Sequence, residues 1–196
     1  LKTERYPDVI PINGSELIEE LNDAYRLFGR EEVLVVTRSN KRANQFNQGI
    51  RNQVLFHENE ITAGDLIMVV RNNYFWLRED DPTDFIANGD IAEIQRIVKT
   101  GALYGYRFAD VEMIFPDYRR MEVHAKLMLD TLSLETASLD LQRSRELYAR
   151  IEEDYPEIGN KKKRYEKIRE HPYFNALQIK FAYAVTCHKA QGGQWK

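Results

Sequence analysis

Apolar residues at Leu17, Ile18, Leu21, Tyr25 and Phe28 recur at the spacing of one helical face and predict an amphipathic helix over residues 16–28. Ser15 is placed to cap it and Gly29 to stop it. Residues 8–12 read as a short strand ahead of that helix. Residues 33–36 form an unbroken apolar run, the pattern of a strand covered on both faces. Helical spacing returns over residues 40–54, where Ala43, Phe46, Asn47, Ile50 and Val54 share a side. Such alternation of strand and helix favours a parallel sheet with helices on its faces.

After Phe56 the rhythm changes. Short strand-like runs at residues 66–70, 91–98, 104–108, 111–115 and 121–129 are separated by Gly, Asp and Pro signals, which predicts a small antiparallel barrel. Helices follow over residues 134–153, capped by Ser133 or Ser138, and 161–170, ended by Pro172. Residues 177–186 then read as one strand returning to the α/β sheet. The expected fold is α/β, a parallel-sheet domain (1–62 and 171–196) interrupted by a β insertion (63–130), with a helical segment (131–170) leading back.

The chain can bury a substantial core, being 43% hydrophobic over 196 residues. It has no run of about 18 uncharged apolar residues and its first residues lack a signal-peptide core, so neither membrane insertion nor secretion is encoded. The absence of an initial Met makes it read as an excised piece. A single Cys187 excludes an internal disulfide and a cysteine-based metal cluster and suits a reducing, cytoplasmic setting. No catalytic residue and no metal ligand is identified.

The net charge of −3 hides an asymmetry: residues 159–196 carry nine Lys or Arg against two acids, +7, leaving −10 on the rest. Localised positive charge suits phosphate partners, although Lys161-Lys-Lys-Arg164 also reads as a solvated helix start.

The densest chemistry is at Ala184-Val-Thr-Cys-His-Lys-Ala-Gln-Gly-Gly-Gln-Trp195, where an apolar run breaks into polar groups at the carboxyl end of a predicted strand. That is where α/β sheets hold ligands. Thr186 offers a hydroxyl, His188 a switchable ring, Lys189 a point charge and Gln191 an amide. This stretch resembles motif V of superfamily 1 helicases of the RecD-like branch, which includes the exonuclease V alpha subunit. Val33-Leu-Val-Val-Thr-Arg-Ser-Asn40, continuing to Arg51, resembles that branch's motif IV region. Gly64-Asp-Leu-Ile-Met-Val-Val-Arg-Asn-Asn-Tyr74 and Asn88-Gly-Asp-Ile-Ala-Glu-Ile94 follow in family order. Residues 115–170 match nothing in it.

The resemblance implies a RecA-like motor domain, called 2A, with an SH3-like insertion, called 2B, from an ATP-dependent DNA helicase active in DNA repair and recombination. It implies that Thr186 and His188 contact the phosphodiester of a single strand, with Lys189, Thr37, Asn40 and Asn73 as further DNA contacts. It makes Gln191, Gly192 and Gln194 nucleotide contacts, although Gln194 stands where the family usually has Glu, and its amide can accept the same ribose hydroxyl bond but brings no charge. Partners would be single-stranded DNA or a duplex junction and a first motor domain outside this chain. ATP and Mg2+ would be bound in the whole protein and not by this piece, which has no Gly-x-x-x-x-Gly-Lys loop to cradle phosphates.

Each of these residues also has a plainer reading. Thr186 can simply end a strand and His188 cap a helix, and Ser39 or Asn40 can be only an N-cap. Asn72 to Trp76 can be hinge packing instead of a base-stacking surface. Arg51 is read as offsetting the helix dipole in preference to reaching a phosphate. The competing function is a noncatalytic nucleic-acid or protein binding module.

Overall fold

The computed structural model describes residue 6 and residues 8–191. It is mixed α/β, with a two-stranded parallel sheet, a closed five-stranded barrel and five α-helices among the described residues. None of those helices is long and apolar enough to cross a membrane.

Helix α1 (Leu17–Phe28) buries Leu21 and packs Leu17, Ile18 and Tyr25 against the main core, as its periodicity predicts, but Phe28, at the last helical position, is 56% exposed and off that core. Gly29 ends it at φ 88°, a conformation that favours glycine, and donates its N–H to the Tyr25 carbonyl. Ser15 does not cap it; Glu16 occupies the N-cap and its carboxylate accepts the N–H of Asn13 at 2.9 Å. Residues 9–12 are not a strand. Ile10 is exposed, and with Pro11 removing a donor there is no neighbour for a ladder.

Strand β1 (Val35–Thr37) is shorter than the apolar run that predicts it, and Val36 is 51% exposed, so this strand is covered on one face only. Helix α2 (Asn40–Gly49) is capped by Ser39, whose hydroxyl accepts the Arg42 N–H at 3.3 Å. It widens into a π-helical turn, Ile50–Val54, that buries Ile50, Arg51 and Val54.

The barrel is formed by β2 (Leu66–Val69), β3 (Ile91–Leu103), β4 (Tyr106–Phe115), β5 (Met121–Met128) and β6 (Leu177–Phe181). Alternation along β4 and β5 sends Val111, Met113, Phe115, Val123 and Leu127 inward. The predicted runs 104–108 and 111–115 fall in one strand, which starts only at Tyr106, and the strand predicted over residues 91–98 extends to Leu103. Tyr104 (φ 52°) and Gly105 (φ 74°) make the two-residue turn between them, Leu103 facing Tyr106. A left-handed aromatic is an uncommon turn residue, which is why the turn read as strand.

Residues 177–186 are two strands. β6 closes the barrel, antiparallel to β2 and parallel to β5, while β7 (Ala184–Thr186) alone pairs with β1. The barrel is therefore not wholly antiparallel. Thr131, in a 3-10 turn after β5, accepts the Ile179 N–H at 3.0 Å and extends the contact to β6.

Helix α3 (Leu141–Glu152) starts at Asp140, which accepts the Arg143 N–H at 2.8 Å, and not at Ser133 or Ser138. Helix α4 (Lys161–Arg169) is capped by Asn160. Leu147, Ile151 and Ile168 pack with Tyr106, Phe108 and Met128 on the outside of the barrel in a second core.

Candidate functional site

The parallel pair brings the two predicted phosphate-contacting segments together. In register Val35 faces Ala184, Val36 faces Val185 and Thr37 faces Thr186, so both threonines end their strands on one edge. Beyond Thr186 the chain makes one helical turn, α5 (Cys187–Ala190). Thr186 makes no side-chain cap bond there and is half-buried; His188 is exposed.

Asn47, inside α2, holds this edge from below. Its Nδ2 donates to the carbonyls of Ala184 (2.8 Å) and Phe181 (3.1 Å), and its Oδ1 accepts the Ala184 N–H at 2.7 Å. A buried amide satisfied on both sides fixes where β7 leaves the sheet. Thr37 is buried, its hydroxyl within reach of the Val185 carbonyl (3.2 Å) and the Ser39 carbonyl (3.1 Å). Its backbone carbonyl accepts the Cys187 thiol at 3.3 Å. Thr37 therefore ties β1 to β7 and to the turn that carries His188.

A cavity of about 630 Å3 opens beside that turn, lined by His188, Lys189 and Gln191 on one side and by Asn88, Gly89 and Asp117 of the barrel on the other. Arg30 also faces it, with Nη1 donating to the Gly64 carbonyl at 3.0 Å. The Asn88-Gly89 turn is shaped by Asp90, whose Oδ2 accepts the Ala87 N–H at 2.6 Å and whose carboxylate accepts the Tyr118 hydroxyl at 3.0 Å. Gly89 sits at φ 115°. Lys189 Nζ donates to Asn88 Oδ1, linking α5 to the barrel. Burial lowers the Lys189 ammonium below its ordinary pKa. Burial likewise raises the Asp90 carboxyl, against the hydrogen bonds it accepts.

The predicted site residues are thus distributed. Thr186, His188, Lys189 and Gln191 lie together; Thr37 is beneath them; Asn40 begins α2 on the same sheet edge. Asn73 is elsewhere, next to the barrel, where its Nδ2 donates to the Asn175 carbonyl at 2.8 Å and its Oδ1 accepts the Phe75 N–H at 2.9 Å. Trp76 Nε1 donates to the same carbonyl, so this segment is stitched to the chain entering β6. Gly192 and Gln194 lie outside the described residues.

Arg51, expected to offset a helix dipole, is instead committed to a buried ion pair. It is 1% exposed and forms a two-pronged ion pair with Asp65, Nε to Oδ1 and Nη2 to Oδ2, each 2.9 Å. The π-helical turn places it on the buried side, over the Phe181 ring at 4.3 Å. Asp65 also accepts the Thr62 N–H (2.7 Å) and the Tyr183 hydroxyl (3.1 Å), and His57 Nδ1 lies 2.9 Å from Oδ1. Burial and Asp65 push the Tyr183 phenol well above its ordinary pKa.

Sequence reasoning missed Asn88 as a cavity residue and Asn47 as a clamp. Asn88-Gly-Asp signals a turn but not which cavity it faces, and Asn47 looks like one more position on a helical stripe. Among the described residues no group of three or more His, Cys, Asp or Glu is placed to hold a metal ion. No protein-family model and no curated protein matches this sequence.

Proposed function

We propose that this chain is part of the second motor domain of an ATP-dependent DNA helicase of the RecD-like type, its parallel sheet RecA-like and its barrel SH3-like. The observation that carries the reading is the Thr37–Thr186 register, which sets two segments resembling helicase motifs side by side at one sheet edge. An exposed imidazole and an ammonium, from His188 and Lys189, line the cavity there, with the half-buried Thr186 hydroxyl at the strand end just before them, and these groups are ordinary donors to phosphate oxygens. The barrel wall of that cavity comes from the segment that resembles the insertion.

ATP and Mg2+ would be held in the whole protein between this domain and a first motor domain carrying the phosphate loop. Within the described chain, Gln191 is the side chain offered to that nucleotide, and an amide suits a ribose hydroxyl. Thr186, His188 and Lys189 would hold the strand by its backbone, without regard to base sequence. Such a protein works on cytoplasmic DNA. The second reading, a noncatalytic binding module, draws on the closed barrel and its own helical core.

The test is titration of the whole protein with a labelled single-stranded oligonucleotide at fixed salt, together with DNA-stimulated ATP hydrolysis. Thr186→Ala and His188→Ala should each weaken binding by roughly 1–3 kcal/mol for a bond to a charged group and reduce stimulation, with the fold intact. Unchanged affinity and stimulation in both variants would reduce the pair to a strand end and a helical turn.

A further inference from the structure

A second depression, about 1020 Å3, lies on the far side of Asn88, between the end of β2, helices α3 and α4, and the segment entering β6. Its wall contains three arginines and no carboxylate: Arg71 after β2, Arg145 on α3 and Arg169 at the end of α4. All three are exposed, and no described acidic side chain is within ion-pair distance of any of them. The neighbouring Arg164, by contrast, is paired to Glu152 at 3.2 Å. Unpaired cations gathered from three separate elements make a positive concavity that an anion can neutralise.

Aromatic faces lie between these charges. Tyr165 is 49% exposed, with the Arg169 guanidinium 5.9 Å from its ring centre, and Tyr148 lies 6.3 Å from it, ring centre to ring centre. Cations alternating with accessible rings match a ligand that alternates phosphates with flat bases. A carboxylate-rich peptide would satisfy the arginines and leave the rings unused.

The depression and the first cavity meet at one residue. Asn88 lines both, its backbone N–H bound to Asn72 Oδ1 at 2.8 Å on the groove side and its side chain to Lys189 on the other. A polymer that passes over Asn88, unlike a mononucleotide, has length enough to touch both.

We propose that this groove binds single-stranded nucleic acid, with Arg71, Arg145 and Arg169 pairing to backbone phosphates and Tyr165 stacking on a base. The inference deepens the helicase reading by adding a strand-binding surface on the barrel and its helices, and it does not depend on ATP chemistry.

Fluorescence anisotropy of the chain with a labelled oligothymidylate of about 12 nucleotides, repeated over a salt series, tests it. The Arg71→Gln/Arg145→Gln/Arg169→Gln variant should bind at least tenfold more weakly, and its slope of log affinity against log salt should fall by about one per arginine. Tyr165→Ala should weaken binding about fivefold or more with the slope unchanged. If the triple variant does not fold by circular dichroism, the exposed single change Arg145→Gln carries the test. Wild-type affinity and slope in the folded variant overturn the inference. So does capture of a glutamate-rich peptide in the absence of oligonucleotide binding. Loss in the groove variants beside unchanged binding by Thr186→Ala/His188→Ala supports the groove and removes the turn from the strand path. The reverse pattern removes the groove and leaves the turn.

Discussion

Removing one partner of the Arg51–Asp65 pair should be among the most damaging single changes in this chain. Asp65 is 0% exposed and accepts two bonds from Arg51, one from the Thr62 N–H and one from the Tyr183 hydroxyl, with His57 at hydrogen-bond distance. Arg51→Met keeps most of the volume and the contact with Phe181 but leaves the carboxylate buried without its main counter-charge. Breaking such a pair costs about 3–5 kcal/mol, a large part of the roughly 5–15 kcal/mol that holds a domain together. A helix-dipole role would cost only about 0.3–1 kcal/mol, so the magnitude decides between the two. Asp65→Asn should cost a similar amount by stranding the guanidinium, and Arg51→Met/Asp65→Asn should cost clearly less than the two singles added. Urea unfolding followed by circular dichroism measures all four corners of the cycle. A single-variant loss below about 1 kcal/mol, or costs that add within about 0.5 kcal/mol, would refute the buried-pair reasoning.

Asn47→Leu strips three bonds from β6 and β7 and should destabilise by about 2–4 kcal/mol, since buried backbone groups lose their partners; a thermal melt within a degree or so of wild type would contradict this. Lys180 is buried and its ammonium is lowered to about 8 from an ordinary 10.5. The unfolded chain therefore holds more protons than the folded one between those values, and stability should rise with pH from about 8 to about 10. Lys180→Met should flatten that rise, and a flat wild-type profile over the window would count against the buried ammonium. The chain alone should show no ATP turnover with or without DNA, because it lacks a phosphate loop; turnover that purifies with the protein and exceeds background would defeat that expectation.

What the sequence makes legible here is local. The stripe from Leu17 to Tyr25 packs as its period predicts, only Phe28 at its end being exposed, and Gly29 stops the helix for a steric reason that needs no neighbour. Thr37 and Thr186 could be placed on one edge because parallel strands of an α/β sheet share a direction. The closure of the barrel by β6 was not legible. Residues 177–186 run on in strand-favouring residues with no Gly or Pro at the break, and the break at residues 182–183 is made by distant groups. Ala182 donates its N–H to the Leu66 carbonyl, while Tyr183 turns its hydroxyl to Asp65. Arg51 was misread for the same reason: a cation near a helix end looks like a dipole partner unless the carboxylate fourteen residues on is known to be buried beside it. Of the candidate site, the side chains on α5 could be named from residue type, whereas the opposite wall needed tertiary structure.

That break between β6 and β7 bears on how the two candidate binding surfaces relate. Two residues join the last barrel strand to the strand that ends at Thr186, too short a link for a loose hinge. Both are buried, Ala182 at 4% and Tyr183 at 0% exposure. Val35 donates its N–H to the Tyr183 carbonyl, so the same residue is bonded to β1 through its backbone and to Asp65, at the start of the barrel, through its side chain. Asn47 spans the break as well, holding Phe181 in β6 and Ala184 in β7 with one amide. For the barrel to swing relative to the parallel pair, these bonds would have to break together, with buried polar groups left unpaired. The packing therefore favours the barrel and the sheet edge moving as one piece. Under the helicase reading, force on a strand held in the arginine groove would be passed to the Thr186 turn through this joint. Flexing would then be confined to the boundary with the first motor domain.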